Sequence, residues 1–168
     1  MRNKLRSTKR LAAIGLLLTV AFILSWLEMI LSVPMSVPGI KIGLANIAIL
    51  FTMYYCGTGD AFFVLTGRLI LNAVLFGNVS SLIFSAAGGF LSYIVMCICK
   101  RFFGKHIVYV SIIGGVFHNI GQLIAAGIVL ETSFIAYAPY LILGGIAAGL
   151  VNGIIVMRVL KAEFRPKK

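Results

Sequence analysis

The chain has 168 residues, of which 61% are hydrophobic and 11% charged, and its formal net charge is +11. A soluble domain is about half apolar and about a quarter charged, because it needs a polar surface. This composition therefore excludes a water-soluble enzyme, a disordered chain and a disulfide-stapled secreted domain. It is typical of an integral membrane protein.

The positive charge is clustered rather than spread along the chain. Most of the 15 lysines and arginines lie in three polar gaps, at residues 2–10, 100–105 and 158–168. Such clustering is typical of the cytoplasmic side of a membrane protein, where translocation disfavours Lys and Arg. It predicts that both chain termini lie in the cytoplasm, with the cell membrane and its lipid as the surroundings, and it gives no reason to expect nucleic acid as a partner.

The polar gaps divide the chain into apolar segments. A helix needs about 20 apolar residues to cross roughly 30 Å of hydrocarbon. The sequence predicts an all-α integral membrane protein, a single membrane domain of six transmembrane helices at about 11–31, 42–56, 61–76, 80–99, 107–130 and 140–160. Segments two and three are short for full spans, and a re-entrant helical hairpin is the alternative for them.

Small residues recur at helical spacing in two of these segments. Gly145, Gly149 and Gly153 repeat every four residues in the last segment, and Ser81, Ser85 and Gly89 do so in the fourth. Such a face lets another helix backbone approach closely. Packing within the bundle is the preferred interpretation, and a docking surface for a partner subunit is the alternative.

Polar residues inside apolar segments are costly, and each is therefore a candidate for function. With both termini inside, these residues fall at or above the membrane midplane on the outer side, which predicts an outward-facing binding pocket. The alternative is that Arg68 pairs with Glu28 and the other side chains link helices. The candidates for substrate binding are Glu28, Lys41, Asn46, Arg68, Asn72, His118, Asn119 and Gln122.

Charge and hydrogen-bonding capacity assign a role to each candidate. Arg68, Lys41 and His118 are expected to supply positive or donor groups, and Glu28 a counter-charge. The amides are expected to supply neutral hydrogen bonds. An anionic or zwitterionic solute is favoured.

The sequence lacks the motifs that would make this chain an enzyme. It has no G-x-x-x-x-G-K-[ST] phosphate loop, no G-x-S-x-G elbow and no H-E-x-x-H zinc motif. Its four acidic residues are too scattered for an aspartate-rich magnesium site. We therefore expect no catalytic residues, no metal and no cofactor.

Several strings along the chain carry a family resemblance. They are, in chain order, PGIKIGLAN at 38–46, the isolated Arg68, FGNVS at 76–80, FSAAGG at 84–89 and GVFHNIGQ at 115–122. With these strings the chain resembles the Gx transporter family, which carries the label heptaprenyl diphosphate synthase component I, over about residues 10–160.

That family is similar to the substrate-binding S components of energy-coupling factor (ECF) transporters. The resemblance implies an S-component-like bundle that binds a metabolite from outside, with a transmembrane coupling protein and two ATPase subunits as partners. The family label implies a different role, a non-catalytic membrane accessory subunit of polyprenyl diphosphate or quinone biosynthesis. If the label reflects gene neighbourhood, an isoprenoid- or quinone-related solute is a reasonable expectation.

The leading hypothesis is thus an S component that binds a small organic solute for ATP-driven uptake. The accessory subunit is the first alternative, and a channel or scaffold without a bound ligand is the second.

Overall fold

A computed structural model of the chain describes residues 7–30, 43–76, 79–129, 131 and 135–163. Within these ranges the secondary structure is entirely helical, with a short 3₁₀ turn at Ile135–Tyr137. The α-helices are α1 (Ser7–Ile30), α2 (Asn46–Tyr55), α3 (Thr58–Phe76), α4 (Val79–Phe103), α5 (Ile107–Val129) and α6 (Ala138–Glu163).

Five of these helices, all except α2, are long and apolar enough to cross a membrane. The prediction of an all-α multi-pass membrane bundle is confirmed. Among the described residues the sixth helix, α2, is too short for a full span, because its ten residues rise about 15 Å, half of the hydrocarbon thickness. Helix α3 begins at Thr58 rather than at 61 and is long enough to span, so only the second segment is short.

The other helices differ from their predicted bounds mainly at their polar ends. Helix α4 continues to Phe103, so Lys100 and Arg101 lie in its last turn instead of in a loop. Cations there interact favourably with the carboxyl end of a helix dipole. Hydropathy alone places helix ends too early, because a charged residue at the membrane surface does not stop a helix.

The glycines of α6 pack against α5. A Cβ added at Gly145 would lie 2.7 Å from the Gly115 carbonyl oxygen, and one at Gly149 would lie 2.6 Å from Ile112 Cα. The two backbones are therefore too close for any side chain at these positions. Packing within the bundle, the preferred interpretation of this glycine repeat, agrees with these contacts.

Charged side chains tie α2 and α3 to their neighbours at one end of the bundle, which we call the basic end and define by Arg10, Lys100 and Arg101. Arg10 forms a bidentate ion pair with Asp60 at the start of α3, with a shortest distance of 2.6 Å. Lys100 Nζ donates to the Met53 carbonyl oxygen near the end of α2. The carboxyl end of α2 thus lies at the basic end, and its amino end lies about 15 Å away, near the middle of the bundle.

Candidate functional site

Gly43, just before the amino end of α2, connects three helices through its backbone. Its N–H donates to the Glu28 carboxylate of α1, and the Leu44 N–H reaches the same oxygen at 3.3 Å. Its carbonyl oxygen accepts a hydrogen bond from Asn152 Nδ2 of α6 at 3.2 Å. A carboxylate near the positive end of a helix dipole is stabilised there, and Glu28 holds the turn that leads into α2.

The Cα of Gly43 faces two further polar side chains. A Cβ at this position would lie 3.0 Å from Asn46 Nδ2 and 3.2 Å from His118 Cδ2. Its φ of 92° is also one that residues with a side chain rarely adopt. Glycine is therefore required at position 43 both by conformation and by the closeness of α5.

We expect Gly43→Ala to lower stability more than Gly57→Ala does. Both glycines have positive φ, but nothing lies within 4 Å of a Cβ at Gly57. The control therefore carries only backbone strain, about 1 to 2 kcal/mol, whereas Gly43→Ala must also displace His118 and Asn46. Unfolding midpoints of the purified variants in detergent measure the difference, and equal midpoints would show that the contacts around Gly43 are loose.

Arg68 of α3 is 3% exposed. Its Nη1 donates to the Ser25 hydroxyl of α1 at 3.0 Å. Its Nε and Nη2 have no hydrogen-bond partner in the part of the chain that the structure describes. The opposite charges of Arg68 and Glu28 attract each other.

Two adjacent glycines of α4 lie at the level of these side chains. A Cβ at Gly88 would lie 2.8 Å from Gln122 Cγ and 3.0 Å from His118 Nδ1, and one at Gly89 would lie 3.4 Å from Arg68 Nη2. Helix α4 thus has Arg68 on one side and His118 on the other. We call the polar cluster the set Ser25, Glu28, Gly43, Asn46, Arg68, His118 and Asn152.

The structure brings together four of the predicted site residues, namely Glu28, Asn46, Arg68 and His118. Gln122 adjoins them through Gly88 and is fully buried. Residues from four different helices therefore lie close together in the fold.

The remaining predicted residues lie apart from the polar cluster or outside the described ranges. Asn119 is turned to α6, where its Nδ2 donates to the Leu141 carbonyl oxygen at 2.6 Å, so its contact links two helices. Asn72 is half-buried, one turn farther along α3 than Arg68, and its Oδ1 forms no hydrogen bond with the described residues. Lys41 lies outside the described residues.

A family model supplies the relationship of this chain to known proteins. The model described as heptaprenyl diphosphate synthase component I matches residues 17–159, which include every residue of the polar cluster. The chain belongs to the heptaprenyl diphosphate synthase component I family. No curated protein and no solved structure matches it.

Three residues of the polar cluster in this family member were not singled out from the sequence. Asn152 is a buried amide within an apolar helix, and the cost of such a group was a usable signal. Ser25 gave no such signal in the sequence, because serine is common in membrane helices. Gly43 stands within a string that carried the family resemblance, but only its contacts show that it joins three helices.

A small cavity lies beside the polar cluster, between α2, α4, α5 and α6. Its volume is about 10 Å³, close to the room that one water molecule needs. Its polar lining comes from Asn46, Ser92, Ser111 and Asn152. This cavity is too small for an organic molecule.

No group of three or more His, Cys, Asp or Glu side chains that could hold a metal ion occurs among the described residues. Glu28 and His118 of the polar cluster lie beside a guanidinium and a helix amino end, both positive, which disfavours a further cation. The chemistry available here is hydrogen bonding and charge complementarity.

Proposed function

We propose that this chain is the solute-binding membrane subunit of an uptake transporter of the ECF type. The single observation that carries the proposal is Arg68, a guanidinium that is 3% exposed in a membrane bundle and has two N–H-bearing nitrogens without a partner among the described residues. A charged residue at the bilayer centre costs several kcal/mol, and it is retained where it serves a ligand or a pathway.

The short helix α2 supports a binding role. Its amino end reaches only the middle of the bundle, where Gly43 and Leu44 direct their N–H groups to Glu28. Half-helices that end inside the membrane place their positive ends at the binding sites of many transporters. In this chain the short helix, Arg68, His118 and Asn152 together form a polar site enclosed by apolar surface.

The distribution of charge supports an orientation for this site. We propose that the basic end faces the cytoplasm, because Arg10, Lys100 and Arg101 lie there and cytoplasmic loops carry the excess of cations. The amino end of α2 is directed away from the basic end, so a solute would enter from outside. Both termini would then be cytoplasmic.

The energy for uptake would come from partner proteins, since the sequence has no phosphate loop. A transmembrane coupling protein and two ATPases are the partners that the resemblance to S components implies. The experiment is affinity purification of the tagged chain from its native membranes. Recovery of these subunits, together with solute uptake that stops when the ATPases are inactivated, supports the proposal. Uptake by the chain alone in liposomes, driven by an ion gradient, would contradict it.

The family name favours a second candidate, a non-catalytic membrane subunit that assists heptaprenyl diphosphate synthesis. In that case the same purification would recover a soluble prenyl synthase in place of the ATPases. Adding the chain would then raise the rate of product formation by that synthase. The two candidate functions thus predict different co-purifying proteins, ATPases for the transporter subunit and a prenyl synthase for the accessory subunit.

A further inference from the structure

The two nitrogens of Arg68 that have no partner among the described residues lie on one edge of its guanidinium. Nη1 is occupied by the Ser25 hydroxyl, whereas Nε and Nη2 have no partner among the described residues. The N–H groups of Nε and Nη2 lie side by side and point in the same direction. This pair matches two oxygens of one carboxylate or phosphate, the bidentate geometry for which arginine is preferred over lysine.

We infer that the ligand of the polar cluster carries a carboxylate or phosphate group, and that this group binds side-on at the Nε and Nη2 edge of Arg68. The inference rests on the proposed solute-binding function and names the chemistry of its ligand. A neutral ligand would accept from the same N–H groups, but hydrogen bonds from a guanidinium to a charged oxygen are stronger than those to a neutral one.

Gly89 of α4 lies against this buried edge. A Cβ at that position would lie 3.4 Å from Nη2 and 3.0 Å from Leu65 Cδ1. Any longer side chain would occupy the space in front of Nη2. A side chain at position 89 would therefore obstruct a ligand group at Nη2, and we assign Gly89 a positioning role.

The charges around the site favour an anionic group with a single negative charge. Glu28 is held by the Gly43 and Leu44 N–H groups and balances the formal charge of Arg68. The amino end of α2 adds about half a positive charge. The polar cluster is thus slightly positive, which suits one negative charge better than several.

The experiment compares probes that differ only in their head group. Hexanoate and its neutral isostere hexanamide are titrated into the purified full-length chain in lipid nanodiscs at constant ionic strength, and binding is followed by the shift of the unfolding midpoint. Hexyl phosphate, in a third arm, distinguishes a phosphate source from a carboxylate source. We expect hexanoate or hexyl phosphate to bind about tenfold or more tightly than hexanamide.

Substitutions test whether the preference for anions over the amide depends on Arg68. Arg68→Met should reduce the ratio of anion to amide affinity to about one, and Arg68→Lys should leave it lower than in the wild type, because a single ammonium cannot form the paired contact. Gly89→Ala should weaken binding of the anions more than binding of the amide. Arg101→Met, which removes an exposed cation at the basic end, should leave all affinities unchanged.

Equal affinity for acid and amide in the wild type, or undiminished anion binding in Arg68→Met, would overturn the inference. These outcomes are distinct from failure of the transporter proposal. If no ATPase is recovered but the preference for anions depends on Arg68, the transporter proposal fails and the oxyanion site stands. If the ATPases are recovered but the preference for anions is absent, the transporter proposal stands and the oxyanion site fails.

Discussion

Replacing Arg68 with Met is expected to stabilise the ligand-free protein by about 1 kcal/mol and to reduce hexanoate affinity about 100-fold. The gain follows from removing two buried donors without a partner among the described residues, each of which costs about 1 to 3 kcal/mol when unpaired. The losses are the Ser25 hydrogen bond and the attraction to Glu28. Since Glu28 still accepts the Gly43 N–H, the carboxylate is not left without compensation.

The double variant Arg68→Met with Glu28→Gln separates this account from a structural role. If Arg68 served only to neutralise Glu28, Arg68→Met would destabilise the bundle and the second substitution would restore its stability. Stability is measured by chemical unfolding in detergent and affinity by hexanoate titration. Both are measured for the wild type, the two single variants and the double variant. Restored stability together with wild-type affinity in the double variant would show that Arg68 is a structural charge without ligand contact.

Gly145→Val is expected to lower the free energy of unfolding by about 3 kcal/mol or to prevent folding, since overpacking against backbone cannot be relieved by a rotamer change. A Cβ at Gly145 would lie 2.7 Å from the Gly115 carbonyl oxygen and 2.9 Å from Val116 Cα. The adjacent Gly144 is the matched control, because the nearest atom to its Cβ is Asn119 Nδ2 at 3.9 Å.

For the control, Gly144→Val, we expect a change of less than about 0.5 kcal/mol, as for an exposed helix position. Yield of folded protein and the unfolding midpoint distinguish the two variants. Similar behaviour of both would mean that α5 and α6 are farther apart than the structure shows.

The helical membrane fold was predictable because its signals are local. Apolar runs and clustered cations mark five of the spans without any knowledge of their neighbours. The exception is α2, whose segment is apolar enough for a longer helix. Its start is determined by Gly43, where a positive φ and contacts to Glu28, Asn152 and His118 end the helical conformation. Those contacts come from three other helices, and no local pattern contains them.

The sequence indicated several members of the polar cluster, but it did not indicate how they are arranged. The cost of polar groups in hydrocarbon drew attention to Glu28, Arg68 and His118, which the structure brings together. The same argument could not separate Asn119, which bonds the α6 backbone, from the residues of the polar cluster. Adjacent residues of one helix point to different neighbouring helices. Which helix each residue contacts depends on how α5 and α6 pack.

The most direct test of the account is to identify the small molecule that the chain retains. The wild-type chain and Arg68→Met are purified in parallel from native membranes, and their extracts are compared by mass spectrometry, with Arg101→Met as the control. The account predicts an organic acid or phosphate ester that accompanies the wild type and Arg101→Met and is depleted in Arg68→Met. A retained molecule that is equally abundant in all three, or a wild-type chain that retains none, would contradict it.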